Sequence, residues 1–167
     1  MKKTKQTLKI PPIHTQELLD DLIERYFLLE KPSEEILHNV VAYYMRVKHP
    51  EIIFRTDAGG LRMPMGLAIK FRNQQNGRAY PDLFIAEPKS FNISKSEIMF
   101  FSGLYIELKK EGTDLFQKRD RLVFNKPHYK EQNDILIELR LKGYHAVFCI
   151  GLKETMDTIE KYLSVWK

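Results

Sequence analysis

The stretch Leu104-Tyr105-Ile106-Glu107-Leu108-Lys109 (LYIELK) has the alternating character of a β-strand. Successive strand side chains point to opposite faces, so Glu107 and Lys109 share one face while Leu108 packs into the core behind them. Two charged residues in succession on one strand face are costly where that face is buried, unless something pairs with them. A metal ion and a phosphate would do so. The apolar run 82–86 (DLFIA) predicts the preceding strand, and it opens with Asp82 directly after Pro81. If the two strands pair antiparallel, the Asp82 carboxylate reaches Glu107. Carboxylates brought that close repel each other, and a divalent cation relieves the repulsion.

Outward from this pair, the sequence predicts a mixed α/β domain, a short sheet flanked by helices. Leu18, Leu19, Leu22, Ile23, Tyr26 and Phe27 fall at helical spacing over 16–29, ended by Lys31-Pro32. Ser33 then offers an N-cap, Glu34 and Glu35 suit a first turn, and the apolar periodicity runs to about Lys48. A β-branched and aromatic run at 52–56 reads as a strand ended by the turn chemistry of Asp57-Ala58-Gly59-Gly60. A short helix is expected over 66–72, and a long connection with some extended structure over 87–102. The charged segment 110–130 is longer than a compact domain usually leaves unstructured, which predicts a mobile loop with a function. A helix over 130–142 stopping at Gly143, a strand over 144–150, a turn at Gly151 and a closing helix over 154–167 complete the order.

The 167 residues suffice for one domain with a real core, and 43% apolar with 29% charged residues is an ordinary globular composition. The basic start (MKKTKQTLKI) runs into Pro11-Pro12 rather than an apolar stretch, so neither a signal peptide nor a membrane span is expected, and the predicted setting is cytoplasmic. Cys149 is the single cysteine and reads as a buried strand residue. The net charge of +5 permits nucleic acid as a partner. Between Arg46 and Arg78 bases outnumber acids, a segment that tracks phosphates or is simply a solvated basic face. His14, His38, His49, His128 and His145 have no spacing suited to zinc, no GxxxxGK[ST] nucleotide loop occurs, and no Ser/His/Asp arrangement can be argued.

A chemistry follows from the parts. Asp82 and Glu107, with the Leu108 backbone carbonyl as a further ligand, suit Mg²⁺ in oxygen coordination with waters retained. Lys109 would orient a water and stabilise charge developing on a scissile phosphate. Pro81-Asp82 and Glu107-x-Lys109 are each weak alone, because a turn aspartate and a surface ion pair are common.

A longer ordered set is more specific: Glu35, Gly59-Gly60, Lys70, Gly77-Arg78-Ala79-Tyr80-Pro81-Asp82-Leu83-Phe84-Ile85-Ala86, Gly103 through Lys109, Glu131-Gln132 and Gly143-Tyr144. From about Ser33 to Leu163 the chain resembles the VRR-NUC (virus-type replication-repair nuclease) family of the restriction-endonuclease-like PD-(D/E)XK superfamily. The resemblance implies a restriction-endonuclease-like core at 33–167, with 1–32 as an N-terminal extension carrying an extra helix. It implies Asp82 and Glu107 as metal ligands, Lys109 as the catalytic lysine, and Gln132 close to the metal, positioning water or phosphate. Glu35 would contribute to the metal site through water. Lys70, Arg62, Arg78 and Lys110 are candidate nucleic-acid contacts. The implied activity is Mg²⁺- or Mn²⁺-dependent cleavage of DNA, as an endonuclease on branched DNA in replication, repair or recombination. A homodimer suits such substrates. The rival readings are a catalytically idle nucleic-acid-binding module and a structural subunit of a phage or mobile-element complex. The segment 110–130 exceeds the family's compact versions, and residues 1–29 have no counterpart in the motif order.

Overall fold

A computed structural model describes residues 8–57, 64–73, 80–94 and 97–164. Chain order begins with α1 (Gln16–Phe27), α2 (Glu34–Lys48), β1 (Phe54–Thr56), α3 (Met65–Asn73) and β2 (Leu83–Ile85). It continues with β3 (Lys89–Ser94), β4 (Glu97–Phe101), β5 (Leu104–Lys109), α4 (Pro127–Leu141), β6 (His145–Ile150) and α5 (Gly151–Ser164). The central sheet runs β1-β2-β5-β6, antiparallel as far as β5 and parallel between β5 and β6. The parallel step needs a crossover, and α4 supplies it.

The alternation read from the sequence sorts the two faces of β5. Leu104, Ile106 and Leu108 join the main core with Leu37, Val40 and Val41 of α2 and with Leu152 and Ile159 of α5. Tyr105 joins a smaller cluster on the other face with Leu136 of α4 and Ala146 of β6. Helices therefore cover both faces, giving the short mixed sheet flanked by helices that the sequence predicts. Within the described residues, α1 packs on α2 and buries Leu19, Leu22 and Tyr26 in the same main core.

Local signals explain most of the helix starts. Thr15 and Ser33 accept hydrogen bonds from the N–H groups of Leu18 and Ile36, each at 3.3 Å, capping α1 and α2. α4 starts at Pro127, three residues before the expected position, because proline has the backbone preset for a first helical turn. Gly151 turns the chain as expected, with φ +79, and α5 is assigned from that residue, three before the expected start at Glu154. The connection 87–102 holds the two-stranded antiparallel sheet β3-β4, fixed to the core by the Phe91–Phe101 and Phe91–Tyr162 ring contacts. The segment 110–126 is built as a small hairpin, with an antiparallel bridge between Phe116 and Phe124. Gly59-Gly60, Arg62, Gly77-Arg78 and Trp166 lie outside the described residues. Among the described residues no helix is long and apolar enough to cross a membrane.

Candidate active site

Strand register brings the two carboxylates together. Leu83 stands opposite Ile106 in the antiparallel β2–β5 pair, and one step further along the same register sets Asp82 against Glu107. The Asp82 carboxylate accepts a hydrogen bond from the Leu108 N–H at 2.8 Å. It lies close enough to Glu107 for the two carboxylates to interact electrostatically. In an extended residue the N–H and C=O project to the same edge of the strand. The Leu108 carbonyl is thereby directed to the edge that Asp82 occupies.

Glu107 is 2% exposed and Lys109 5%, so both charges are withdrawn from water. Lys109 Nζ donates to Glu107 Oε1 at 2.6 Å, and Gln132 of α4 donates to the same oxygen. The Lys109 ammonium also lies 5.7 Å from the centroid of the Tyr129 ring, one helical turn before Gln132. Burial is the main force on the acids. It raises Asp82 above the usual carboxylate range, against the pull of His38, the Leu108 N–H and Lys109. Burial, joined by the negative charge of Asp82, pushes Glu107 up to about 8, with Lys109 opposing. A carboxyl held that high keeps its proton at neutral pH, and a proton shared between facing carboxylates is what a cation can replace.

The donor set fits a hard divalent cation. Among the described residues no three His, Cys, Asp or Glu side chains gather into a site built wholly of such groups. Two facing carboxylates and an adjacent carbonyl are the sparse oxygen set that Mg²⁺ accepts while keeping waters. Gln132 Oε1 is buried and has no hydrogen-bond partner among the described residues. An unsatisfied buried oxygen beside the acids is the kind of group that calls for a water or an ion.

The remaining expected residues separate. Glu35 is exposed in the first turn of α2, and among the described residues no hydrogen bond or ion pair joins it to the cluster. One turn on, His38 does reach the site, with Nε2 3.7 Å from Asp82 Oδ1. The sequence does not disclose His38, since nothing in spacing links a helix residue to a strand 44 positions later. Lys70 is exposed on α3, and Lys110 is exposed directly after β5. Arg62 and Arg78 lie outside the described residues. Tyr80, 47% exposed, shares a hydroxyl–hydroxyl contact of 3.1 Å with Tyr105, whose ring stacks on Phe84 at 4.4 Å. This aromatic floor supports the strand ends that carry the acids.

No family model and no curated protein matches the chain. Among solved structures, a VRR_NUC domain protein matches at 23% identity, covering 82% of this chain and 93% of its own, with a TM-score of 0.47.

Proposed function

We propose that this chain is a metal-dependent nuclease that hydrolyses DNA phosphodiesters, an endonuclease acting on branched DNA in replication, repair or recombination. One observation carries the reading: Asp82, Glu107 and Lys109 converge, largely buried, at one end of the β2–β5 pair, with Gln132 closing over them from α4. Buried charges without a task are expensive, and a purely structural site would be more stable with apolar residues.

In this reading Asp82, Glu107 and the Leu108 carbonyl would hold Mg²⁺ or Mn²⁺. The cation supplies charge that neutralises the scissile phosphate and acidity that makes water a nucleophile at neutral pH. Glu107 would release its proton on binding the cation, and Lys109, which donates to Glu107 and lies over the Tyr129 ring, would donate to the phosphate oxygen where charge develops. Gln132 fixes Glu107 through its amide nitrogen and offers Oε1 to a water. His38 holds Asp82 from the opposite helix layer. Glu35 would act through water, and Lys70 and Lys110 would meet phosphates away from the cut. A homodimer would match the two-fold symmetry of a four-way junction, and light scattering showing monomer alone on saturating junction DNA would reject it.

The test is a cleavage panel of single-stranded, duplex, flap and four-way DNA with Mg²⁺ or Mn²⁺. Wild type should cut branched DNA, and Asp82→Ala should not. Intact substrates with both metals would leave an idle binding module as the better account.

A further inference from the structure

The segment between the catalytic strand and α4 is ordered in a way that the cleavage chemistry does not use. The Asn125 N–H donates to the Leu115 carbonyl at 2.7 Å and the Gln117 N–H to the Val123 carbonyl at 2.8 Å. The Phe116 and Phe124 rings meet at 4.7 Å. Asp120 closes the tip: its carboxylate accepts from the Leu122 N–H at 2.9 Å and its carbonyl from the Val123 N–H at 3.2 Å. The acid is thus committed to the turn, while its neighbours Lys118, Arg119 and Arg121 are exposed and form no ion pair among the described residues. Leu122, beside them, is 90% exposed although two phenylalanines of the same hairpin pair with each other. Both roots of the hairpin touch the site, since the ammonium groups of Lys109 and Lys126 flank the Tyr129 ring at 5.7 and 5.2 Å.

We propose that the hairpin 110–126 is a substrate-reading arm that engages duplex DNA beside a strand junction, a proposal that rests on the nuclease reading. Lys118, Arg119 and Arg121 grip phosphates next to the cleaved bond, and such contacts fix register without reading sequence. Leu122 packs on the base face that a junction leaves unstacked, as apolar wedges do at distorted steps. Three unpaired cations supply charge complementarity to the backbone, and the shared root at Tyr129 places arm and cutting site on one substrate. Intact duplex offers the phosphates but no open base face, so the leucine selects for branched DNA.

The experiment uses the full chain and labelled 30-base-pair-class duplex and four-way DNA, with binding measured in Ca²⁺ and cutting in Mg²⁺. Lys118→Ala/Arg119→Ala/Arg121→Ala should weaken binding to both DNAs about tenfold or more near physiological salt, and flatten the log K against log salt slope by roughly 2 to 3. Leu122→Ala should leave duplex binding unchanged and lower four-way binding and cutting several-fold. Unchanged thermal melting of both variants would show that the exposed tip was altered without loss of fold. Wild-type binding and salt slope in the triple variant would overturn the arm, as would equal losses on both DNAs for Leu122→Ala. Cutting judges the other claim separately: a wild type that binds through the arm yet never cuts refutes the nuclease reading and leaves the arm standing.

Discussion

At the scale of single residues, Glu107 carries the most information. Its carboxyl is pushed up to about 8, while an unfolded chain would release the proton near the ordinary value of 4.5. Between those values the metal-free native state binds more protons than the unfolded one, so its stability is greatest at low pH and is lost as pH rises through about 8. The melting temperature of metal-free protein should therefore fall between pH 5 and pH 8.5, by about 2–4 °C per kcal/mol in a chain of this size, and Glu107→Gln should flatten that slope. A slope that survives in Glu107→Gln would place the proton elsewhere. Added Mg²⁺ or Mn²⁺ should reverse the loss, and its affinity should climb by up to about tenfold per pH unit below 8, because loading expels one proton. Lys109→Ala should cost about 10²–10³ in cleavage rate with the fold intact, the usual loss when one preorganised donor to developing charge is removed. Cutting by Lys109→Ala at the wild-type rate under single-turnover conditions would count against its proposed role.

At the scale of elements, the site depends on how closely β2 and β5 approach, and Gly103 sets that approach. A Cβ at this position would stand 2.8 Å from the Ile85 carbonyl oxygen and 2.9 Å from the Phe84 ring. Gly103→Ala should push the strands apart, cost about 1–3 kcal/mol as overpacking does, and lower cleavage more than stability alone explains by shifting Asp82 from Glu107. Denaturant titration and metal-dependent cutting, measured on the same sample below its melting temperature, separate the two effects. Strand period made Glu107 and Lys109 legible as one face, and it also assigned Leu108 to the core. Asp82 was legible only on the condition that β2 and β5 are neighbours, since β3 and β4 intervene in the chain and form a sheet of their own. Gln132 entered through family resemblance, although its spacing four residues before Leu136 and seven before Leu139 sets it on the inward face of α4. The charges of 110–130 predict a long loop and say nothing of the Phe116–Phe124 bridge within it. Gly151 is legible as a turn and has a positive φ, but the sequence does not show that α5 starts there, with the Glu111 carboxylate accepting the Leu152 N–H at 3.1 Å.

At the scale of the whole molecule, α1 lies outside the family's motif order yet inside the main core. Leu19 and Leu22 are fully buried there and Tyr26 nearly so, packed toward α2, the helix that delivers His38 to Asp82. The proposed cutting site draws Asp82, Glu107, Lys109 and Gln132 from the β2–β5 pair and α4, whereas α1 packs chiefly on α2. Stability and chemistry should therefore separate when α1 is weakened. Leu22→Ala removes a fully buried side chain and should lower the unfolding free energy by about 2–5 kcal/mol, a large fraction of the roughly 5–15 kcal/mol typical of a native domain. A single cooperative transition at lower denaturant, with cutting per folded molecule retained at low temperature, is the expected result. A detachable extension would behave otherwise: α1 would melt in a separate early phase, and the midpoint of the main transition would not move.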